Sequence, residues 1–238
     1  MKMNSLYACL ILIFPVAALA TGPGDASGQQ EARESMVRHQ IEDRGVKDKE
    51  VLAAMRSVPR HELVPASLSA HAYDDRPLPI GHGQTISQPY IVALMTELLE
   101  LVKSGKVLEV GTGSGYQAAV LAEIVDQVVT VEIIETLAKR AKRDLEQLRY
   151  GNIEVLHADG YFGHPGEAPY DAIIVTAAAE HIPPPLLEQL KPGGRMVIPV
   201  GRTAWTQNLI LVRKTEDGKT RTRNILPVRF VPLTREKR

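Results

Sequence analysis

Cysteine is nearly missing from this chain of 238 residues, and the one copy, Cys9, sits in an apolar stretch near the start. That excludes a disulfide framework, a thiolate metal site and a cysteine nucleophile in the body of the protein. Net charge is missing too, because 28 Lys and Arg balance 28 Asp and Glu. Nucleic-acid binding usually shows a basic excess, so no nucleic-acid partner is expected. The local basic clusters at 139–143 and 219–223 read as a solvated helix face and a hairpin turn. There is no G-x-x-x-x-G-K-[ST] phosphate loop, no internal repeat, no metal-ligand cluster and no Ser-His-Asp arrangement, so no metal is expected. The length and a hydrophobic content of 44% suit one α/β domain with a full core.

What is present concentrates in 107–115, VLEVGTGSG. Apolar residues end a short buried strand. Gly111, Thr112, Gly113, Ser114 and Gly115 make a turn, and 116–124 reads as a helix. Glycines let backbone approach a ligand closely, and a helix start offers unpaired N–H groups. The spacing departs from the dinucleotide fingerprint G-x-G-x-x-G: the third glycine comes one residue early, and Tyr116 stands where the last should be. That favours a nucleoside without a pyrophosphate and weighs against a dehydrogenase. An ordinary tight turn would use the same glycines. A β-branched run, VVTV at 128–131, follows and ends in Glu132. An acid at the tip of a second strand, about 20 residues past the glycines, is placed for ribose hydroxyls. A helix-start acid is the plainer reading, but the glycine turn at the right distance favours the ribose role. Asp159-Gly160 follows a third strand at 153–156 and either reaches the adenine ring or its amine, or is a plain Asp-Gly turn.

Residues 1–20 have the layout of a secretory signal: Lys2, an apolar run at 6–16, and Ala18-Leu19-Ala20 as a cleavage site. The run is too short for a stable membrane span. The other reading is a misassigned start codon, with Met36 as the true start. Residues 21–30 read as a polar linker. Helices are expected at 31–44 and 48–56, the second with Val51, Leu52 and Met55 on one face. Pro59, Pro65, Pro77, Pro79 and Pro89 then punctuate the chain, so loops dominate. Within them, LPIGHGQTISQPY at 78–90 crowds glycines and hydroxyls ahead of a helix at 91–102, the pattern of a ligand-contacting loop. Ser87 is alternatively a cap for the helix opening near Pro89, and the lone loop His82 carries little weight as a catalyst. Further on come an amphipathic helix at 134–148 and a strand at 171–176 with Ala177, Ala178 and Ala179 at its carboxyl end, where open α/β sheets bind ligands. A proline-started helix at 183–190, a KPGG turn at 191–194, strands at 195–200, 208–214 and 222–231, and a frayed charged tail at 234–238 complete the reading.

These residues together are recognisable. The glycine turn, the strand-tip acid, Asp159-Gly160 and LKPGG before a fifth strand resemble a class I S-adenosylmethionine-dependent methyltransferase. PLPIGHGQTISQPYIVALMTELL at 77–99, PYDAIIVTAAA at 169–179, LKPGGRMVIPVG at 190–201, VRFVPL at 228–233 and VLAAMRSVPRHELVP at 51–65 resemble the protein-L-isoaspartate O-methyltransferase family. The resemblance spans about 36–233, and residues 1–35 have no counterpart in the family pattern. It implies an α/β, Rossmann-like, doubly wound and mostly parallel sheet, with an N-terminal helical extension over 31–102 and antiparallel C-terminal strands, all one domain over 31–235. It implies methyl transfer from S-adenosyl-L-methionine to the α-carboxyl of isoaspartyl residues in peptides and proteins. The ester then closes to a succinimide, whose hydrolysis returns some aspartate. Ser87 matches the family's active-site serine, with Thr85 and Ile86 in the same substrate loop. The cofactor set is Glu109, Gly111, Thr112, Gly113, Ser114, Gly115, Glu132, Asp159 and Gly160. A carboxylate is already ionised at neutral pH, so alignment and exclusion of water suffice, and Ser87 reads as a positioner rather than a nucleophile. Competing readings are a small-molecule methyltransferase on the same fold and a non-catalytic adenosyl-binding protein. A monomer in the cytosol, where the cofactor is made, is expected; the signal-like segment argues for export to the periplasm instead.

Overall fold

The structure, a computed structural model, describes residues 27–202 and 206–235. The signal-like segment and Cys9 lie outside the described residues. Helix α1 (Ser27–Met36) begins four residues inside the stretch read as linker. It gives way to a π-helical turn, Val37–Glu42, rather than running to residue 44. Helix α2 (Lys49–Ser57) starts where Asp48 supplies a cap, its carboxylate accepting the Glu50 and Val51 N–H groups at 2.9 and 3.0 Å. Its face of Val51, Leu52, Ala54 and Met55 is buried.

Among the prolines a β-hairpin forms that periodicity did not reveal: β1 (Leu78–Gly81) pairs with β2 (Gln84–Ile86). Gly81, His82 and Gly83 all take positive φ, which reverses the chain in a space too short for an alternating strand signal. Helix α3 (Pro89–Leu98) follows and ends earlier than residue 102, where Glu100 adopts φ 49°.

The central sheet comprises β3 (Lys106–Val110), β4 (Gln127–Glu132), β5 (Ile153–His157), β6 (Tyr170–Val175), β7 (Leu190–Val200), β8 (Gln207–Lys214) and β9 (Thr220–Val228). Helices α4 (Tyr116–Ala122), α5 (Glu135–Gln147) and α6 (Pro184–Gln189) connect the parallel strands. Strand order is β5-β4-β3-β6-β7-β8-β9, parallel through β7 and antiparallel beyond. The KPGG segment is not a turn before β7 but a bulge inside it: Tyr170 opposes Leu190 while Ala172 opposes Arg195.

Strand period divides the core. Val107, Val128, Ala172 and Ile174 face the layer holding the N-terminal helices. Leu108, Val110, Val129, Val131, Ile173 and Val175 face a second core with Leu186 and Leu190. Helix α5 buries Leu137, Ala138, Ala141 and Leu145 along one stripe; each buried leucine contributes roughly 1.5–3 kcal/mol. Among the described residues no helix is long and apolar enough to cross a membrane.

Candidate active site

The strand order reverses between β3 and β6, and there the carboxyl ends of the strands open a cavity. Open α/β sheets bind ligands at such switch points. The cavity brings together Glu109, Gly111, Thr112, Gly113, Ser114, Glu132 and Gly160 with Thr85, Ile86 and Ser87. Gly115 and Asp159 stand outside its lining. Gly115 is the residue ahead of α4, at φ 84°.

The glycine turn has little room for side chains. At Gly111, with φ +100°, a Cβ would lie 2.5 Å from the Thr176 hydroxyl, which donates to the Gly111 carbonyl at 2.6 Å. The Gly113 N–H donates to Glu132 Oε2 and the Ile134 N–H to Oε1, each at 2.9 Å. Glu132 thus ties the turn to the tip of β4 while bordering the cavity.

Glu109 lies beside Thr130 across the β3–β4 register, on the face that elsewhere holds Val107 and Val128. The Thr130 hydroxyl donates to Glu109 Oε2 at 2.5 Å and so accepts from Thr112 at 2.7 Å. Glu109 is fully buried, and its Oε1 has no hydrogen-bond partner. Burial pushes its carboxyl up to about 8, opposed by the Thr130 bond and reinforced by Glu132. A buried carboxylate oxygen without a donor is costly. At the edge of a ligand cavity it fits a cationic group, such as the ammonium of a methionyl moiety.

Asp159 is engaged elsewhere. Its Oδ1 accepts the Tyr161 N–H at 3.0 Å, and its Oδ2 accepts from Arg235 at 2.9 Å. Arg235 also stacks 3.7 Å from the Tyr161 ring centroid. Within the tail expected to fray, Arg235 is therefore anchored, and 236–238 lie outside the described residues. The segment just before the tail is stitched to Ala178, whose N–H meets the Val231 carbonyl and whose carbonyl meets the Leu233 N–H, both at 2.8 Å. Val231–Thr234 borders the cavity in consequence.

On the opposite wall, Ser87 does not cap α3. The cap position is Gln88, and no side chain bonds the first helical N–H groups. Thr85, Ser87, Thr176 and Val231 border both the cavity and a second, open groove that continues over Gln88, Ile91, Arg229 and Phe230. His82 lies on the exposed hairpin turn, hydrogen-bonded to Thr136 at 3.0 Å. Sequence reasoning missed Thr130, Thr176 and the 231–234 strap. A signal for Thr130 existed: period-two counting puts Glu109 and Thr130 on one buried face, where polar residues need a reason.

The protein-L-isoaspartate(D-aspartate) O-methyltransferase (PCMT) family model matches residues 31–238. This chain belongs to that family. A protein-L-isoaspartate O-methyltransferase 2 of Syntrophobacter fumaroxidans is 54% identical over 242 residues, covering 98% of both chains. A protein-L-isoaspartate O-methyltransferase 1 of Nitrosospira multiformis is 58% identical over 213 residues, covering 89% of this chain and 90% of the relative. A solved protein-L-isoaspartate O-methyltransferase superposes with TM-score 0.76 at 32% identity, covering 84% of this chain and 65% of that one. A Plasmodium falciparum protein described as a putative member, solved in complex with S-adenosyl-L-homocysteine, gives TM-score 0.74 at 26% identity over 85% of this chain and 98% of its own. The family's fold is thus the doubly wound sheet expected from the sequence, and family membership favours a protein substrate over the small-molecule and non-catalytic readings.

Proposed function

We propose that this protein methylates the α-carboxyl of isoaspartyl residues in peptides and proteins. The observation that carries the reading is the junction at Thr85, Ser87, Thr176 and Val231, where a cavity lined by two carboxylates meets a groove lined by none. Bound S-adenosylmethionine supplies an electrophilic methyl carbon on a sulfonium, whose bond to sulfur breaks as a bond to a carboxylate oxygen forms. Glu109 receives the methionyl ammonium on its unpartnered oxygen. Glu132 accepts the ribose hydroxyls with the lone pairs its two backbone bonds leave free. The N–H groups and small side chains from Gly111 to Ser114 cradle the nucleoside, and Gly160 leaves room for the adenine. Asp159 shapes that end through its pairing with Arg235.

Ser87 donates a hydrogen bond that orients the substrate carboxylate, with Thr85 and Ile86 shaping the same loop. None of these groups must remove a proton, because the carboxylate is already ionised. Their work is alignment and exclusion of water. It acts as a monomer and without nucleic acid, the second supported by the neutral overall charge. The cofactor's cytosolic origin supports action in the cytosol; a mature N terminus near Thr21 in a periplasmic fraction would overturn that in favour of export.

The test offers labelled S-adenosylmethionine with two peptides that differ only in isoaspartate against aspartate. Base-labile label on the isoaspartyl peptide alone is the expected result. Cofactor binding with no label on either peptide overturns the reading.

A further inference from the structure

Arg60 is fully buried, in a short 3₁₀ turn (Arg60–Leu63) within the proline-rich stretch. Burial lowers its guanidinium to about 10, so it remains a cation at neutral pH. A buried cation without a carboxylate partner is costly, and Arg60 makes no ion pair among the described residues. Its partners are carbonyls and a ring. Nε donates to the Ala72 carbonyl and Nη2 to the Ser87 carbonyl, both at 2.7 Å. The guanidinium carbon lies 4.6 Å from the centroid of the Tyr116 ring, the first residue of α4 after the glycine turn. Nη1 is buried with no hydrogen-bond partner. One side chain therefore touches three separate parts of the site: the N-terminal layer at Ala72, the substrate loop at Ser87, and the start of the cofactor helix at Tyr116. No substrate or cofactor atom needs to touch it.

We propose that Arg60 is a positioning residue for methyl transfer, holding the backbone of Ser87 so that its hydroxyl aims at the junction between cavity and groove. This rests on the role given to Ser87 above. A planar fork with fixed donors holds two carbonyls at a set separation. A lysine offers one mobile ammonium and cannot reproduce that geometry. Ser87 follows β2 and precedes the helix cap, and no side chain caps α3. The Arg60 bond therefore fixes this residue from behind, where local structure supplies little. A small displacement of an aligning group costs turnover before it costs cofactor affinity.

The experiment compares Arg60→Met, Arg60→Lys, Ser87→Ala and the double variant Arg60→Met/Ser87→Ala. It measures kcat and KM with an isoaspartyl peptide and the Kd of S-adenosylhomocysteine, which also reports folding. Expected is a loss of about tenfold or more in kcat for both Arg60 variants. The S-adenosylhomocysteine Kd should stay within about twofold, and the double variant should be no slower than Ser87→Ala, because residues acting as one unit are not additive. Losses that multiply in the double variant overturn the inference. So does loss of S-adenosylhomocysteine binding in both Arg60 variants, since Arg60 then holds the fold and not Ser87. A slow Ser87→Ala beside a normal Arg60→Met overturns this inference alone. Full activity in Ser87→Ala overturns the Ser87 reading, and this inference with it.

Discussion

The two walls of the site carry opposite electrostatic characters. On the side of β3, β4 and the glycine turn, Glu109 and Glu132 border the cavity, and no Lys or Arg lines it among the described residues. Across from them, the groove past Ser87 has no carboxylate in its lining and one cation, Arg229, with buried Arg60 behind the loop. The first wall suits a cofactor that is positive at sulfur and at its amine. The second suits a substrate that arrives as a carboxylate. Both reactants lose water on entering, and each meets a field of the opposite sign. The walls also differ in material. The first is mostly backbone and strand-end residues. The second is a hairpin, a loop and a C-terminal strap held by contacts between distant segments.

Changes to the first wall should produce the largest effects. In Gly111→Ala, the new Cβ would sit 2.5 Å from the Thr176 hydroxyl at a φ of +100°. S-adenosylhomocysteine affinity, measured by calorimetry, should fall by about 100-fold or more, since left-handed strain adds roughly 1–2 kcal/mol to the clash. Glu109→Gln comes next. A hydrogen bond to a charged group is worth about 1.5–3 kcal/mol, so affinity should fall roughly 10- to 100-fold. The same variant tests the direction of titration. Glu109 holds its proton up to about 8 in the free protein, and a cationic ligand favours the ionised form. In the parent, binding should therefore release a proton and tighten between pH 6 and 7.5, whereas Glu109→Gln should show neither effect. The linkage to folding runs the other way. The raised pKa favours the folded free protein fully below 4.5, and that contribution is lost as pH rises through about 8. Thermal unfolding of parent against Glu109→Gln across this range checks it.

Changes to the second wall should spare the cofactor. Ser87→Ala should lower kcat by about tenfold, the loss of one bond to a charged group, with S-adenosylhomocysteine affinity near that of the parent. Large loss of affinity with intact turnover would break the division between the walls. Arg229→Glu is the mildest: an exposed charge is worth about 0.2–1 kcal/mol, so KM for an isoaspartyl peptide should rise only a few-fold. The rise should shrink as salt increases.

Much of the first wall was legible because its signals are local. The strand, the glycine turn and the acid at the next strand tip sit at fixed spacings, and backbone sterics and hydrogen bonding enforce them. Glu109 entered the cofactor set with its motif. Its burial, its bond to Thr130 and its unpartnered oxygen depended on the register of β3 against β4, which spacing does not give. The second wall was legible as a loop rich in hydroxyls, but not as a hairpin, because three residues at positive φ leave strands too short to show alternation. Ser87 as a helix cap was a fair local alternative, and the fold declined it by placing Gln88 at the cap. The sequence leaves Asp159 open between a ligand contact and a turn, and the Tyr161 N–H on its Oδ1 fits the turn. Its pairing with Arg235, 76 residues away, belongs to neither reading, since no local pattern links a strand-end acid to a C-terminal tail.

The sequence by itself determined the succession of strands and helices along the central sheet, the glycine cradle, the strand-tip acid and the QTISQP loop, because these depend on side-chain periodicity, backbone freedom and short spacing. The tertiary structure decided which polar groups ended buried. Thr130 beneath Glu109, Thr176 against Gly111, Arg60 behind Ser87 and the strap along Ala178 all join residues far apart in the chain. Their energetics arise from loss of water at a particular place, and that place exists only once the sheet, the hairpin and the tail have packed together.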